Sequence, residues 1–135
     1  MRHALRDGPG FLYVRRGMIE RLEPPFLDLY AATWARIQSL ATTLRATLWE
    51  IPGVTVRDTG AEQCGIVTFT VDGQQPAALA HALLGRGINV SHTTVAGTRP
   101  DMEARGLTAM VRASVHYYNS EAEIARFCET LRRLV

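Results

Sequence analysis

Residues 110–119, MVRASVHYYN, carry the polar side chains best suited to a ligand site. If this segment is a β-strand, Arg112, Ser114 and His116 lie on one face, whereas the odd-numbered residues up to Tyr117 lie on the other. A guanidinium offers two parallel N–H donors, which match the two oxygens of a carboxylate. The spacing therefore fits a site for an anionic ligand, or an ordinary solvated strand face.

Three further residues are secondary candidates for the same site. His116 follows Arg112 on the polar face, and His92 ends the strand predicted before it. A histidine can transfer protons near neutral pH, but the spacing identifies no partner carboxylate for either ring, so we predict no catalytic residue. Arg99, in the string TRPD, is a second anion contact or a solvated loop residue.

The basic residues exclude one class of chemistry. All 15 are arginine, and the chain contains no lysine. A Schiff base with an aldehyde cofactor or a carbonyl substrate needs a primary amine on a side chain, and a guanidinium cannot replace it. A net charge of +2 without a basic cluster also gives no reason to propose a nucleic-acid partner.

The composition predicts one globular domain in the cytoplasm. The 135 residues are 47% hydrophobic and 21% charged, with no apolar run long enough to span a bilayer and no basic-then-apolar leader. Cys64 and Cys128 lie far apart without a CxxC motif, so neither a disulfide framework nor a zinc site is indicated. Both cysteines are predicted to be small core residues.

The elements that must position these residues follow from hydrophobic periodicity and turn signals. Residues 8–16 suit a strand, and the short helical turn after it is predicted to stop at Pro24 and Pro25. The rest of the chain predicts helix, strand, strand, helix, strand, strand and helix. In chain order the predictions are a helix at 31–50, strands at 54–58 and 65–71, a helix from Pro76 to a cap at Gly87, a strand at 88–92, a long loop at 93–109, the strand of Arg112, and a helix capped by Ser120 and Glu123.

This order predicts an α+β fold, with a small antiparallel or mixed sheet and helices packed on one face. It also resembles, together with three strings, the C-terminal small domain of the class V aminotransferase family, which are fold type I pyridoxal-phosphate enzymes. The strings are GFLYVRRGMIERLEPPF, GVTVRDTGAEQCGIVTFTVDG and VRASVHYYNSEAEIARF. The resemblance implies that residues 1–30 are a remnant of the segment after the cofactor lysine and that residues 31–135 form the small domain.

The resemblance also assigns residue roles. Arg112 matches the family arginine that pairs with the substrate's α-carboxylate, and His3 falls where the cofactor lysine belongs. Pyridoxal phosphate is thus implied by the family, but no cofactor is expected in this chain alone. The 93–109 segment has no cysteine where the cysteine desulfurases carry a reactive one, which favours the lyase, epimerase or aminotransferase-like branches.

Three functional hypotheses remain open at this point. The chain is a truncated class V protein that retains the carboxylate-binding arginine, a non-enzymatic ligand-binding or interaction module, or a partial chain of an active enzyme. All three imply an amino-acid-like carboxylate ligand or a protein partner, and neither a nucleic acid nor a membrane. The apolar and aromatic side chains of residues 1–34 further predict a homo-oligomer or contact with a missing large domain.

Overall fold

The computed structural model describes residues 25–96 and 99–135, with side chains for residues 31–96 and 102–135. The strand and helical turn predicted before residue 25, like His3, lie outside the described residues. The described elements are α1 (Pro25–Trp49), β1 (Val54–Val56), β2 (Ile66–Val71), α2 (Pro76–Leu84), β3 (Ser91–Thr94), α3 (Arg99–Ala104), β4 (Ala109–Ser114) and α4 (Glu121–Arg132).

The four strands form one sheet in the order β1-β2-β4-β3, and every neighbouring pair is antiparallel. The predicted α+β class is therefore confirmed, and the sheet is antiparallel rather than mixed. β4 lies inside the sheet, with β2 on one side and β3 on the other. Because β3 and β4 are short, the segments that follow them also shape the surface at the ends of the sheet.

The main core lies between one face of the sheet and the helices α1, α2 and α4. Along β2 and β4 the buried residues alternate with more exposed ones, as a half-buried strand requires. Buried side chains from all three helices join those of the strands in one cluster; they include Leu44, Leu48, Val67, Phe69, Leu79, Leu83, Val111, Ile124, Phe127 and Leu131. The opposite face of the sheet carries Thr68, Arg112 and Ser114.

Helix α1 begins earlier than the sequence predicted. Pro25 is its first residue, where a proline is tolerated because the first N–H of a helix has no intrahelical partner. The helical turn that the proline pair was predicted to stop lies outside the described residues, whereas the start predicted for the long helix, near residue 31, was too late. The helix is continuous from residue 25 to residue 49, across the boundary between residues 30 and 31 that the resemblance implies.

The segment from residue 88 to residue 109 is more ordered than predicted. Helix α2 ends at Leu84 with its C-cap at Gly85 rather than at the predicted Gly87. Gly87, with φ +72°, turns the chain after the helix, and Ile88 N–H donates to Leu83 C=O at 3.0 Å. The strand therefore begins only at Ser91 instead of at residue 88. The long loop predicted at 93–109 contains α3, whose six residues are too few to show a helical hydrophobic repeat.

Two further predictions about burial were wrong. Tyr117 is 60% exposed, because β4 ends at Ser114 and the tyrosine lies in the turn from His116 to Asn119. Cys64 is also exposed, whereas Cys128 is buried in the core as predicted. No described helix combines the length and the apolar character that a membrane crossing requires.

Candidate functional site

Arg112 lies in the middle of a row of side chains that crosses three strands. The register places Thr68 of β2 opposite it on one side and Ser91 of β3 on the other. Directly opposite residues of antiparallel strands share a face, so all three side chains point away from the three helices of the core. Arg112 is exposed, and its guanidinium has no hydrogen-bond or ion-pair partner within residues 31–96 and 102–135.

A cleft of about 480 Å³ opens beside Arg112 at the end of β4. One wall is residues 87–91, which lead into β3, and the other is residues 112–119, which lead into α4. Its polar lining consists of Asn89, Ser91, Arg112, Ser114, His116, Tyr118, Asn119, Glu123 and Arg126. This volume is typical of small-ligand sites, so the cleft is the natural place for an anion bound by Arg112.

His116 enters the cleft from a tight turn rather than from the strand. Asn119 N–H donates to His116 C=O at 3.1 Å, and His116 N–H donates to Asn119 Oδ1 at 2.8 Å. The imidazole stacks on the ring of Tyr118, with 5.3 Å between ring centroids and 8° between planes. The structure thus brings His116 to the same cleft as Arg112, although from the turn rather than from the strand, and holds its ring against Tyr118.

The turn from His116 to Asn119 is held by a hydrogen bond from α1 and leads directly into α4. Arg36 of α1 donates to Asn119 C=O at 3.2 Å and pairs with both carboxylate oxygens of Glu121. The hydrogen bond from Arg36 lowers the pKa of Glu121 to about 2. Ser120 and Glu123 form the predicted capping box of α4, and the hydrogen bond from Ser120 N–H lowers the pKa of Glu123.

A buried ion pair supports the other side of the Arg112 row. Arg45 of α1 is 7% exposed, and its Nε donates to Asp58 Oδ2 at 2.7 Å. Asp58 Oδ1 in turn accepts the N–H of Thr68 at 2.7 Å and its hydroxyl at 2.6 Å. Asp58 therefore fixes the rotamer of the residue directly opposite Arg112.

Sequence reasoning missed this support. Position 45 lies four residues after Ala41 and three before Leu48, so helical spacing places Arg45 on the buried stripe of α1. An arginine on a buried stripe requires a partner, which was the signal available. The identity of that partner depends on the turn after β1, which brings Asp58 to the helix.

Of the other two predicted site residues, His92 is not brought to Arg112, and Arg99 has no described side chain. His92 is exposed and pairs with Val111 in the register, so its side chain lies on the face of the sheet that the helices cover. Arg99 is the first residue of α3, and its side chain lies outside the described ones. Of the part of the chain that the structure describes, no three His, Cys, Asp or Glu residues are grouped so as to hold a metal ion.

Comparison with known proteins adds a family match to this geometry. The family described as aminotransferase class-V matches residues 29–127. The chain is 33% identical over 100 residues to a probable cysteine desulfurase 1 of Mycobacterium leprae, covering 72% of this chain and 16% of that protein. It is 29% identical over 122 residues to a probable cysteine desulfurase of Xylella fastidiosa, covering 90% of this chain and 26% of that protein.

The fold is also similar to solved structures. The apo structure of a cysteine desulfurase from Thermococcus onnurineus matches with a TM-score of 0.69 and 28% identity, over 75% of this chain and 25% of that one. A NifS-like protein from Rickettsia africae has the same fold, with a TM-score of 0.68 at 17% identity over 79% of this chain and 30% of that one. The chain thus spans between 16% and 30% of the length of these relatives.

Proposed function

Because the chain belongs to the class V aminotransferase family, we propose that it contributes the carboxylate-binding side of a class V site, with Arg112 as the residue that pairs with an amino-acid carboxylate. One observation carries this proposal: the Arg112 guanidinium is exposed at a cleft and has no partner among the described side chains. A planar guanidinium without an internal partner retains both edges for a carboxylate.

The neighbours of Arg112 suit this role. Thr68 and Ser91 flank it with hydroxyl groups, and the buried Arg45–Asp58 pair holds Thr68 in place. The nearest described carboxylate in the cleft lining, Glu123, is occupied by the cap of α4. Both flanking hydroxyls already donate, Thr68 to Asp58 Oδ1 and Ser91 to Arg112 C=O, so Arg112 itself would supply the hydrogen-bond donors to an anion in this cleft.

Pyridoxal phosphate, which the family implies, fits these residues poorly. The 135 residues include no lysine, so no side chain of this chain can form a Schiff base with the cofactor aldehyde. The lining of the cleft offers a guanidinium, hydroxyls and an imidazole, which suit an anion. A complete class V site would require a lysine from residues other than these, and we derive no step of catalysis for this chain.

The absence of lysine also favours a second candidate function, a non-enzymatic module that binds a small carboxylate ligand. Both functions use Arg112 in the same way, and they differ in whether further residues complete an active site.

Two free cysteines, the exposed Cys64 and the buried Cys128, support a reducing compartment such as the cytoplasm.

A titration with L-alanine tests the role of Arg112. In two-dimensional NMR spectra, weak binding should shift the amide resonances of residues 110–119 in a saturable way. Arg112→Lys should weaken this binding about tenfold, because one ammonium cannot reproduce two parallel charge-assisted hydrogen bonds.

Arg133→Lys is the matched control, because Arg133 is exposed at the end of the chain, where it pairs with Glu129. It should leave the titration unchanged. Equal shifts in the wild type and in Arg112→Lys, or no saturable shifts at all, would contradict the proposed function.

A further inference from the structure

The cleft beside Arg112 exists because β3 is shorter than β4. The last cross-strand pair is Ser91 with Arg112, and residues 87–90 then leave the sheet to join the end of α2. β4 continues for two more residues, to Ser114, without a neighbour on that side. Residues 113 and 114 of β4 therefore have no strand partner on the β3 side in the described part of the chain. This unpaired edge, called the step below, lies beside the Arg112 guanidinium.

The backbone of Ser114 points into this step. Val115 N–H donates to Gly65 C=O at 2.7 Å, on the β2 side of the strand. Because backbone groups of successive strand residues point to opposite sides, the N–H and C=O of Ser114 face the β3 side. In the described part of the chain neither group has a hydrogen-bond partner.

We propose that this step binds the C-terminal end of an extended peptide, a proposal that rests on the carboxylate-binding role of Arg112. A peptide that runs in the direction of β3 would lie antiparallel to β4. Its last-but-one residue would then exchange two backbone hydrogen bonds with Ser114, and its terminal carboxylate would lie beside Arg112. A free amino acid satisfies only the guanidinium, whereas a peptide end satisfies the strand edge as well.

The rest of the cleft is compatible with a short peptide. Residues 87–90 form the opposite wall, with the partly buried Ile88 and Val90 as apolar surface. The stacked pair of His116 and Tyr118 lies at the end where the peptide would enter. A volume of about 480 Å³ lies within the usual range for ligands of this size.

Four ligands, compared in one set of NMR titrations of the full chain, separate the contribution of the terminal carboxylate from that of backbone pairing with Ser114. These are L-alanine, trialanine, trialanine with a C-terminal amide, and a trialanine analogue in which the N–H of the second residue is replaced by an ester oxygen. Trialanine should bind about tenfold more tightly than alanine, as two additional backbone hydrogen bonds allow. The amide and the ester analogue should each lose most of that gain, because they remove the carboxylate and the donor to Ser114 C=O.

The outcomes distinguish this proposal from the proposed function. If trialanine and alanine bind equally, with both lost in Arg112→Lys, the peptide proposal is overturned and the carboxylate role stands. If the ester analogue binds as well as trialanine, backbone pairing at Ser114 is likewise overturned. If no ligand binds, both proposals fail. The comparison of trialanine with alanine and with the two analogues is made in the ligand alone, so the test of the peptide proposal does not depend on whether a protein variant folds.

Discussion

At the residue scale, burial separates side chains of the same type into different roles. Arg112 is exposed and has no partner among the described side chains, whereas Arg45 is buried and bonded to Asp58 and to the C=O groups of Cys64 and Ile66 at 2.8 and 3.1 Å. A buried guanidinium is tolerated only when such bonds compensate its lost hydration. Arg45 is therefore an anchor for the strands, and Arg112 is the arginine that is available to a ligand.

The two cysteines should differ in reactivity for the same reason. Burial raises the pKa of the Cys128 thiol to about 11, whereas Cys64 is exposed beside β2. Only a thiolate reacts rapidly with iodoacetamide, so the folded protein at pH 8 should be alkylated at Cys64 alone. Peptide mapping by mass spectrometry measures this. Cys128 should become reactive only in denaturant, and equal labelling of both residues under native conditions would contradict the described burial.

At the element scale, close approaches between segments set the geometry of the cleft. β2 and β4 continue their pairing through Gly65 and Val115, beneath the middle of α1, where Ile37 lies. The turn after β4 is then held by Arg36 from the same helix. Helix α1 therefore supports the segment from Arg112 to α4 at two places, through Ile37 near Val115 and through Arg36 at Asn119.

Gly65→Ala should destabilise the protein by about 1–3 kcal/mol, the usual cost of overpacking. A Cβ atom at position 65 would lie 2.6 Å from Val115 O and 2.6 Å from Ile37 Cγ2, and the backbone oxygen cannot move without breaking the strand pair. Urea unfolding measures the change. Gly85→Ala is the control, because its nearest contact would be 3.6 Å and its φ of −60° suits alanine. The prediction fails if both variants have the stability of the wild type.

The contact between α1 and α4 should weaken in acid. The hydrogen bond from Arg36 lowers the pKa of Glu121 from 4.5 to about 2. A carboxyl group with a lowered pKa in the folded state stabilises the protein above its unfolded pKa, and that stabilisation is lost as pH falls from about 4.5 to 2. Glu121→Gln should therefore be less stable than the wild type at pH 6 and equal to it at pH 2.

Unfolding free energies of both proteins across this range check the pH dependence. Glu62→Gln serves as a control, since Glu62 is an exposed loop residue with no ion pair among the described side chains. A difference between Glu121→Gln and the wild type that does not change with pH would show that Glu121 contributes through packing rather than charge.

At the scale of the whole molecule, apolar surface remains uncovered. Trp34 and Trp49 of α1 are 44% and 67% exposed, and Leu84 is 56% exposed. The chain covers only 16% and 25% of the lengths of two of its similar proteins, which have further residues available to cover such surface. Large exposed side chains on a single domain indicate contact with another copy or with a further domain.

We expect the isolated chain to form homodimers or larger species. Sedimentation velocity at tens of micromolar measures this, and the apparent mass should rise with concentration. Trp34→Glu should shift the equilibrium towards the monomer, because a charge in an apolar contact is costly to desolvate. A wild-type chain that sediments as a monomer over the whole range would contradict the expectation.

Local sequence patterns alone determined the α+β class, the glycine turn that follows α2 at Gly87, the capping box of α4, and the face that carries Arg112. These features depend on residues within one or two turns of each other, so periodicity and capping chemistry reveal them. The tertiary structure decided the strand order, the partner of Arg45, the exposure of Cys64, and the placement of His92 on the opposite face from Arg112. Each of these depends on register or packing between segments far apart in the chain, and neighbouring residues carry no signal of that pairing.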